Sequence, residues 1–270
     1  MSGPRSQFPH KSLKMNIFQK IQLEIIRYTL RNSPQLAPKI EAMSVYAQDK
    51  SLHDLNFIMT INKQLIESSR SQLRQDLFVL DQLNFKKNGF FVEFGATNGI
   101  DLSNSYLLEK EYGWTGILAE PAKLWHKELL NNRKSIIDTR CVWKETGVKL
   151  DFNETESAEL STLCEYSNSD LHAEKRKKGK SYPVETITLT DLLTQHHAPR
   201  YIDYLSIDTE GSEYDILKNF SFEKYRFKII TCEHNYSSTR ERIFELLSKN
   251  GYKRKFEHLS QFDDWYVDAA

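Results

Sequence analysis

The sequence predicts an α/β fold: a mainly parallel sheet covered on both faces, with antiparallel strands at its carboxyl-terminal edge and a helical segment in front. Three observations predict it. From about Ser71, short apolar runs alternate with stretches of helical periodicity, as in parallel strands joined by crossover helices. Several of these runs, among them Phe90 to Val92, GILAEP at Gly116 to Pro121, YIDYLSID at Tyr201 to Asp208 and Phe227 to Cys232, suit buried strands. The last two expected strands, around Tyr252 to Phe256 and Trp265 to Val267, form an antiparallel edge pair.

In chain order, residues 1 to about 14 are polar and read as loose, with Pro4 and Pro9. Ile17, Ile21, Leu23, Ile25 and Tyr28 suggest an amphipathic helix to about Arg31, broken by Asn32-Ser33-Pro34. A second helix includes Ile40 to Tyr46 and a third runs from about Leu52 to Ser69, so residues 1–70 read as a helical accessory segment before a domain at 71–270. Such a preface suits helices packed on their own domain, a lid, an oligomerisation element or a membrane-surface helix.

The first strand of the domain ends in Glu93, and Ser103 is the expected N-cap of the helix that follows, with Gly113 at its end. Pro121 suits the first turn of a helix through about Asn131, and Ser135 to Val142 is an expected third strand. Short strands follow near Val148 to Phe152 and Leu160 to Leu163. The basic run EKRKKGK reads as a solvated loop ahead of the strand-like VETITL, and His196-His197 as a solvent-facing loop. Ser212 is the expected cap of a helix carrying Ile216, Leu217 and Phe220, and Asn250-Gly251 ends the next one.

Lys plus Arg and Asp plus Glu each number 37 in 270 residues, so no charge bias draws the chain to nucleic acid or to a polyanionic substrate. Neither a long apolar leader nor a transmembrane run is present in the sequence. Cys141, Cys164 and Cys232 lack paired or metal-type spacing and read as reduced thiols of a cytoplasmic protein.

The chemistry concentrates in FFVEFGATNG, Phe90 to Gly99, where a buried strand opens into a glycine-containing turn. Gly95 and Gly99 let the backbone turn beside a ligand, but Ala96 and Thr97 depart from the G-x-G-x-x-G fingerprint of dinucleotide sites. Four expected strands end in polar or acidic residues: Glu93 with Gly95, Glu120, Asp208 with Glu210, and Glu233 with His234. Open α/β sheets bind ligands at that edge, so these tips are expected to share one crevice. Glu120 lies 25 residues after Gly95, near the separation of roughly 20 at which an acid accepts ribose hydroxyls in such folds. A dinucleotide needs the full glycine turn for its pyrophosphate, whereas phosphate-free S-adenosylmethionine is served by a looser E-x-G-x-x-x-G turn.

FVEFGATNGIDLSNSYLLEKEYGWTGILAEP, YLSIDTEGSEYDIL and CEHN, with SQLRQDLFVL ahead of them, resemble the FkbM family of S-adenosylmethionine-dependent methyltransferases over about Ser71 to Asp268. The resemblance implies a class I methyltransferase fold, Rossmann-like, and O-methylation of a sugar hydroxyl in a glycan, glycolipid or glycosylated metabolite. The alternatives are methylation of a protein or lipid group, or a non-catalytic binding module. Matched by position, Glu93, Gly95, Ala96, Gly99 and Ser105 belong to the cofactor site, with Glu93, Gly95 and Gly99 lining its methionine part, Glu120 on its ribose and Asp208 facing the methyl group and acceptor. Gln75 and Asp76 match the segment that leads into the domain and close over the cofactor. Asn98 stands where many relatives carry Asp, and Val142-Trp143 replaces smaller residues expected near the adenine.

A sugar hydroxyl is a poor nucleophile until its proton is taken or a metal binds it. Asp208 and His234 are the expected bases, with Glu233 beside them. The metal-assisted version places a divalent cation such as Mg or Mn on Asp208 and Glu233.

Overall fold

A computed structural model describes residues 63–168 and 172–269. The helices expected before residue 63 lie outside the described residues, and the third expected helix is seen from Lys63–Ser68 (α1). After Arg74, whose φ of 67° breaks the chain direction, Gln75–Gln82 forms α2, with Leu77 to Leu80 wholly buried.

The main sheet has seven strands in the order β3-β2-β1-β8-β9-β11-β10. Its parallel part comprises Phe90–Phe94 (β1), Thr115–Ala119 (β2), Ile136–Asp138 (β3), Tyr201–Ile207 (β8) and Arg226–Glu233 (β9). Asp263–Asp268 (β11) runs antiparallel to β9, with Asp263 opposite Glu233. Tyr252–Lys255 (β10) pairs antiparallel with β11, as expected, so β11 alone runs against the rest. Tyr106–Tyr112 (α3), His126–Asn132 (α4), Glu213–Lys218 (α7) and Arg240–Lys249 (α8) are connecting helices of this sheet. Val92, Ile117, Leu205 and Ile230 lie side by side on adjacent strands and are fully buried, each stabilising the fold by about 1.5–3 kcal/mol.

Two expectations about the middle of the chain are corrected. Ser135 to Val142 is not one strand: it divides into β3 and Cys141–Trp143 (β4), which belong to different sheets. The cause is local, because Asp138 turns back to accept from the Arg140 backbone N–H at 3.0 Å and from its guanidinium at 2.9 and 2.6 Å. The second sheet has four strands in the order β4-β7-β5-β6. Lys149–Glu154 (β5), Thr162–Leu163 (β6) and Lys180–Thr188 (β7) complete it, and a short 3₁₀ turn at Ala158–Leu160 takes up the start of the strand expected at Leu160. The basic run is not wholly a solvated loop either. Ala173–Arg176 is a single helical turn (α5), and the Arg176 side chain is buried.

Leu189–Gln195 (α6) and Glu257–Ser260 (α9) are the remaining helices. His196, expected to face solvent, is half-buried with Nε2 2.8 Å from Asp138 Oδ2, while His197 is exposed. Among the described residues, no helix is long and apolar enough to cross a membrane. Cys141, Cys164 and Cys232 are all unpaired.

Candidate active site

The chain leaves β1 towards β2 on one side and reaches β8 on the other, so the sheet order reverses between β1 and β8. A crevice opens at the carboxyl ends of strands at such a switch point. Here it is a cavity of about 420 Å³, within the roughly 300–1,000 Å³ usual for small-molecule sites. Glu93, Gly95, Glu120, Asp208, Glu210 and Glu233 all border it, so the strand tips converge as expected.

Gly95 sits at φ +71°, and a Cβ there would stand 2.2 Å from the Asp208 backbone oxygen. Only glycine lets the end of β1 approach the end of β8 this closely. Gly99 has a different task. Its missing side chain makes room for Arg133, whose Nη1 donates to the Gly99 carbonyl at 3.1 Å, and neither Gly99 nor the buried Ala96 borders the cavity.

Glu93 holds the loop above the turn. Its Oε1 accepts from the Asn104 N–H at 2.6 Å, and its Oε2 accepts from the hydroxyls of Ser103, at 3.0 Å, and Ser105. Buried Arg133 completes this network by donating to Ser103 Oγ at 3.1 Å, Ser105 Oγ at 2.9 Å and Glu109 Oε2 at 3.0 Å. Ser105, expected at the cofactor, is therefore turned into the network and does not border the cavity. Ser103 caps α3 from outside its first turn, accepting from the Tyr106 N–H at 3.1 Å.

Glu120 faces the cavity with both oxygens anchored, Oε2 by the Thr97 N–H and Oε1 by the Ala122 N–H, each at 2.8 Å. Burial pushes its pKa up to about 7 against these two bonds, helped by the charges of Asp208 and Glu154. Pro121, Cys141, Val142, Phe152 and Leu163 give the cavity apolar walls. Val142 thus borders the site as anticipated, while Trp143 packs edge-on to Tyr166 with ring centroids 5.6 Å apart.

Asp208, Glu210 and Glu233 bring one oxygen each to within 4.8 Å of one another. Burial raises Asp208 and Glu233, the latter further through the charges of Asp208 and Glu210, and the two share a side-chain hydrogen bond. One proton held between them resolves the repulsion. Glu210 is neutralised differently, by Arg176 Nη2 at 2.7 Å, and Asn235 Nδ2 donates to Glu233 Oε2 at 2.8 Å and to Glu210 Oε2 at 3.2 Å. Arg176 also donates from Nε to the Leu160 carbonyl at 2.7 Å, which ties α5 and the 3₁₀ turn to the end of β8. Its neighbour Lys175 borders the cavity. The expected cap at Ser212 makes no side-chain cap bond; Glu213 satisfies the turn instead, accepting from the N–H groups of Thr209 at 3.0 Å and Gly211 at 2.9 Å.

His234 stands apart from the site. The ring is buried away from the cavity, its Nδ1 accepts from the Tyr236 N–H at 3.0 Å, and its Nε2 lies 3.8 Å from Asp264 Oδ1. Burial also lowers its pKa. Gln75 borders a small recess next to the cavity and donates to Asp263 Oδ2 at 2.9 Å. Asp76 is turned inward instead, to the Ser69 hydroxyl at 2.7 Å and the Leu77 N–H at 2.8 Å. Reading the sequence missed Asn104, Arg133, Arg176, Asn235 and Asp263. The CEHN segment and the basic run carried two of them, but with no sign of which member turns inward.

No curated protein sequence matches the chain significantly. Among solved structures, it is similar to a methyltransferase FkbM from Methylobacillus flagellatus KT, with 14% identity and a TM-score of 0.48 over 87% of this chain and 60% of that one. The chain thus spans less than two thirds of that protein. It is also similar to a human methyltransferase 10 domain containing protein, with 12% identity and a TM-score of 0.39 over 74% of this chain and 83% of that one. A precorrin-6y C5,15-methyltransferase from Geobacter metallireducens GS-15 follows, with 9% identity and a TM-score of 0.37 over 71% and 85% of the two chains. The sequence profile of the Methyltransferase FkbM domain matches residues 93–254, more than half of the chain, and the protein belongs to that family of methyltransferases.

Proposed function

We propose that the protein is an S-adenosylmethionine-dependent O-methyltransferase that acts on a sugar hydroxyl of a glycan, glycolipid or glycosylated metabolite, and that it works in the cytoplasm. The observation that carries the reading is the set of groups that adjacent strand ends bring to one cavity: the anchored Glu120 carboxylate after β2, the Gly95 turn after β1 and the Asp208–Glu233 pair at β8 and β9, with apolar side chains in the same lining. The donor chemistry fits. S-adenosylmethionine supplies a methyl group on a sulfonium cation, and a cavity bordered by the carboxyl groups of Glu93, Glu120, Glu159, Asp208, Glu210 and Glu233 against the single Lys175 has an acidic excess that favours a cation. The free lone pairs of Glu120 accept ribose hydroxyl protons. Residues 71–270 form the catalytic domain in this reading, with residues 1–70 an accessory segment.

Asp208 receives the acceptor's hydroxyl proton. With Glu233 protonated and donating to it, the Asp208 carboxylate is held towards the cavity in its ionised form, and its raised pKa makes it a better base than an exposed Asp. A proton, and no divalent cation, lies between Asp208 and Glu233 in this reading, and sensitivity to chelator decides between the two. Glu210 already carries Arg176, and Asp208 and Glu233 already share a proton.

The test is mass spectrometry of a glycan panel incubated with isotopically labelled S-adenosylmethionine, with and without chelator. The expected result is label on a sugar oxygen, insensitive to chelation and abolished by Asp208→Asn. Full turnover by that variant refutes the base assignment, and label found only in protein or lipid refutes the sugar acceptor.

A further inference from the structure

We propose that the recess at the ends of β8, β9 and β11 is an ammonium site that holds the α-ammonium of the methyl donor's methionine moiety, with Asp263 as its anionic partner. The inference rests on the proposed methyl donor and adds the group that recognises its amino-acid end. The recess adjoins the main cavity and shares with it Gln72, Leu102, Asn104, Asp208, Glu233 and Phe262.

Its lining is rich in acceptors. Asp263 and Asn104 are both more than nine-tenths buried, and among the described residues neither Asp263 Oδ1 nor Asn104 Oδ1 has a hydrogen-bond partner. Three buried donors at the recess point to other oxygens. Gln75 Nε2 and Trp265 Nε1 both donate to Asp263 Oδ2, at 2.9 and 3.2 Å, and Asn104 Nδ2 donates to Ser206 Oγ at 2.9 Å. Two buried acceptors without donors are costly unless a ligand supplies N–H or O–H groups. Asp208 and Glu233 add negative charge to the same recess, so the missing donor is a cation. Asp263 responds as an anion lacking its partner does, with burial and the nearby charge of Asp208 raising its pKa to about 8.

Size selects the kind of cation. The recess holds about 10 Å³, close to the space of one water, which an –NH₃⁺ group with three donors fills. Magnesium keeps several waters in a near-octahedral shell and needs more room.

Calorimetry with two ligands tests the assignment. S-adenosylhomocysteine carries the ammonium, and 5′-methylthioadenosine lacks the whole amino-acid end. Asp263→Asn is expected to weaken S-adenosylhomocysteine by about tenfold or more while leaving 5′-methylthioadenosine within about twofold, which also reports that the variant is folded. Asn104→Leu, which removes the second acceptor, is expected to show the same selective loss. If both ligands bind the wild type and the variants leave S-adenosylhomocysteine unchanged or tighter, the ammonium site is overturned and the donor reading stands. If neither ligand binds the wild type, the donor reading falls and takes this inference with it.

Discussion

Glu120→Gln is the most informative single substitution, because the carboxylate of Glu120 has opposite effects on binding and on folding. Its rise from 4.5 to about 7 corresponds to about 3 kcal/mol by which the folded state prefers the protonated form. A raised carboxylate pKa means that the folded protein binds the proton more tightly than the unfolded chain does. Stability on this account is therefore greatest below pH 4.5 and is lost as the pH climbs to about 7. About 2 kcal/mol of the loss falls between roughly pH 5 and pH 8. The amide cannot ionise, so the variant lacks this loss. It also has one oxygen for the two N–H groups of Thr97 and Ala122, which costs about 1–3 kcal/mol at every pH. The two effects separate in a double difference. Urea unfolding of wild type and variant at pH 5 and pH 8 is expected to show the variant gaining about 2 kcal/mol on the wild type across that interval, whatever its offset. Asp76, Asp208 and Asp263 are raised in both proteins, so their titration cancels to first order. The same variant is expected to lose S-adenosylhomocysteine binding, and wild-type affinity to change across pH 7 as Glu120 ionises. Parallel pH dependence of unfolding in the two proteins refutes the argument, since it means that Glu120 is solvated when the protein is folded.

Gly95→Ala forces a Cβ at φ +71° to within 2.2 Å of the Asp208 carbonyl, and is expected to cost at least about 2 kcal/mol in urea unfolding; a neutral result means that β1 and β8 separate easily. Arg176→Met leaves Glu210 buried without its cation and is expected to cost about 3–5 kcal/mol, most of it recovered on adding Glu210→Gln, as a double-mutant cycle reads directly. Glu233→Ala removes the hydrogen bond that favours the ionised form of Asp208, so the acidic limb of the pH–rate profile is expected to move to higher pH. An unmoved limb excludes Asp208 as the titrating base. His234→Ala is expected to retain turnover within a few-fold, with its effect confined to thermal stability; loss of turnover in a folded variant places the ring in the chemistry after all.

What could be read along the chain was what repeats along the chain. Parallel strands buried on both faces must be apolar nearly throughout, so β1, β2, β8 and β9 announce themselves, and each carries a polar residue at or just past its carboxyl end. Ser135 to Val142 defeats the same logic. Its residues are apolar enough for one strand, but the bond from Arg140 back to Asp138 turns the chain and sends Cys141–Trp143 to another sheet. Arg176 fails for a related reason, since one inward-facing arginine in a basic run has no local mark.

The sequence by itself determined the fold class and the crevice at the carboxyl ends of the strands, because hydrophobic periodicity and strand-end chemistry are local properties, and its motifs carried the resemblance to the family. Tertiary structure alone decided the task of each polar group. Glu93 and Ser105 face Arg133, Glu210 faces Arg176, and His234 faces Asp264 instead of a ligand. The partner of Gln75 is Asp263, 188 residues away. A buried polar group takes its role from whichever partner packing brings within hydrogen-bond distance, and that distance is unrelated to separation along the chain. Glu120 was legible as a binding acid, but only its enclosure in the folded protein makes it an acid with a pKa of about 7.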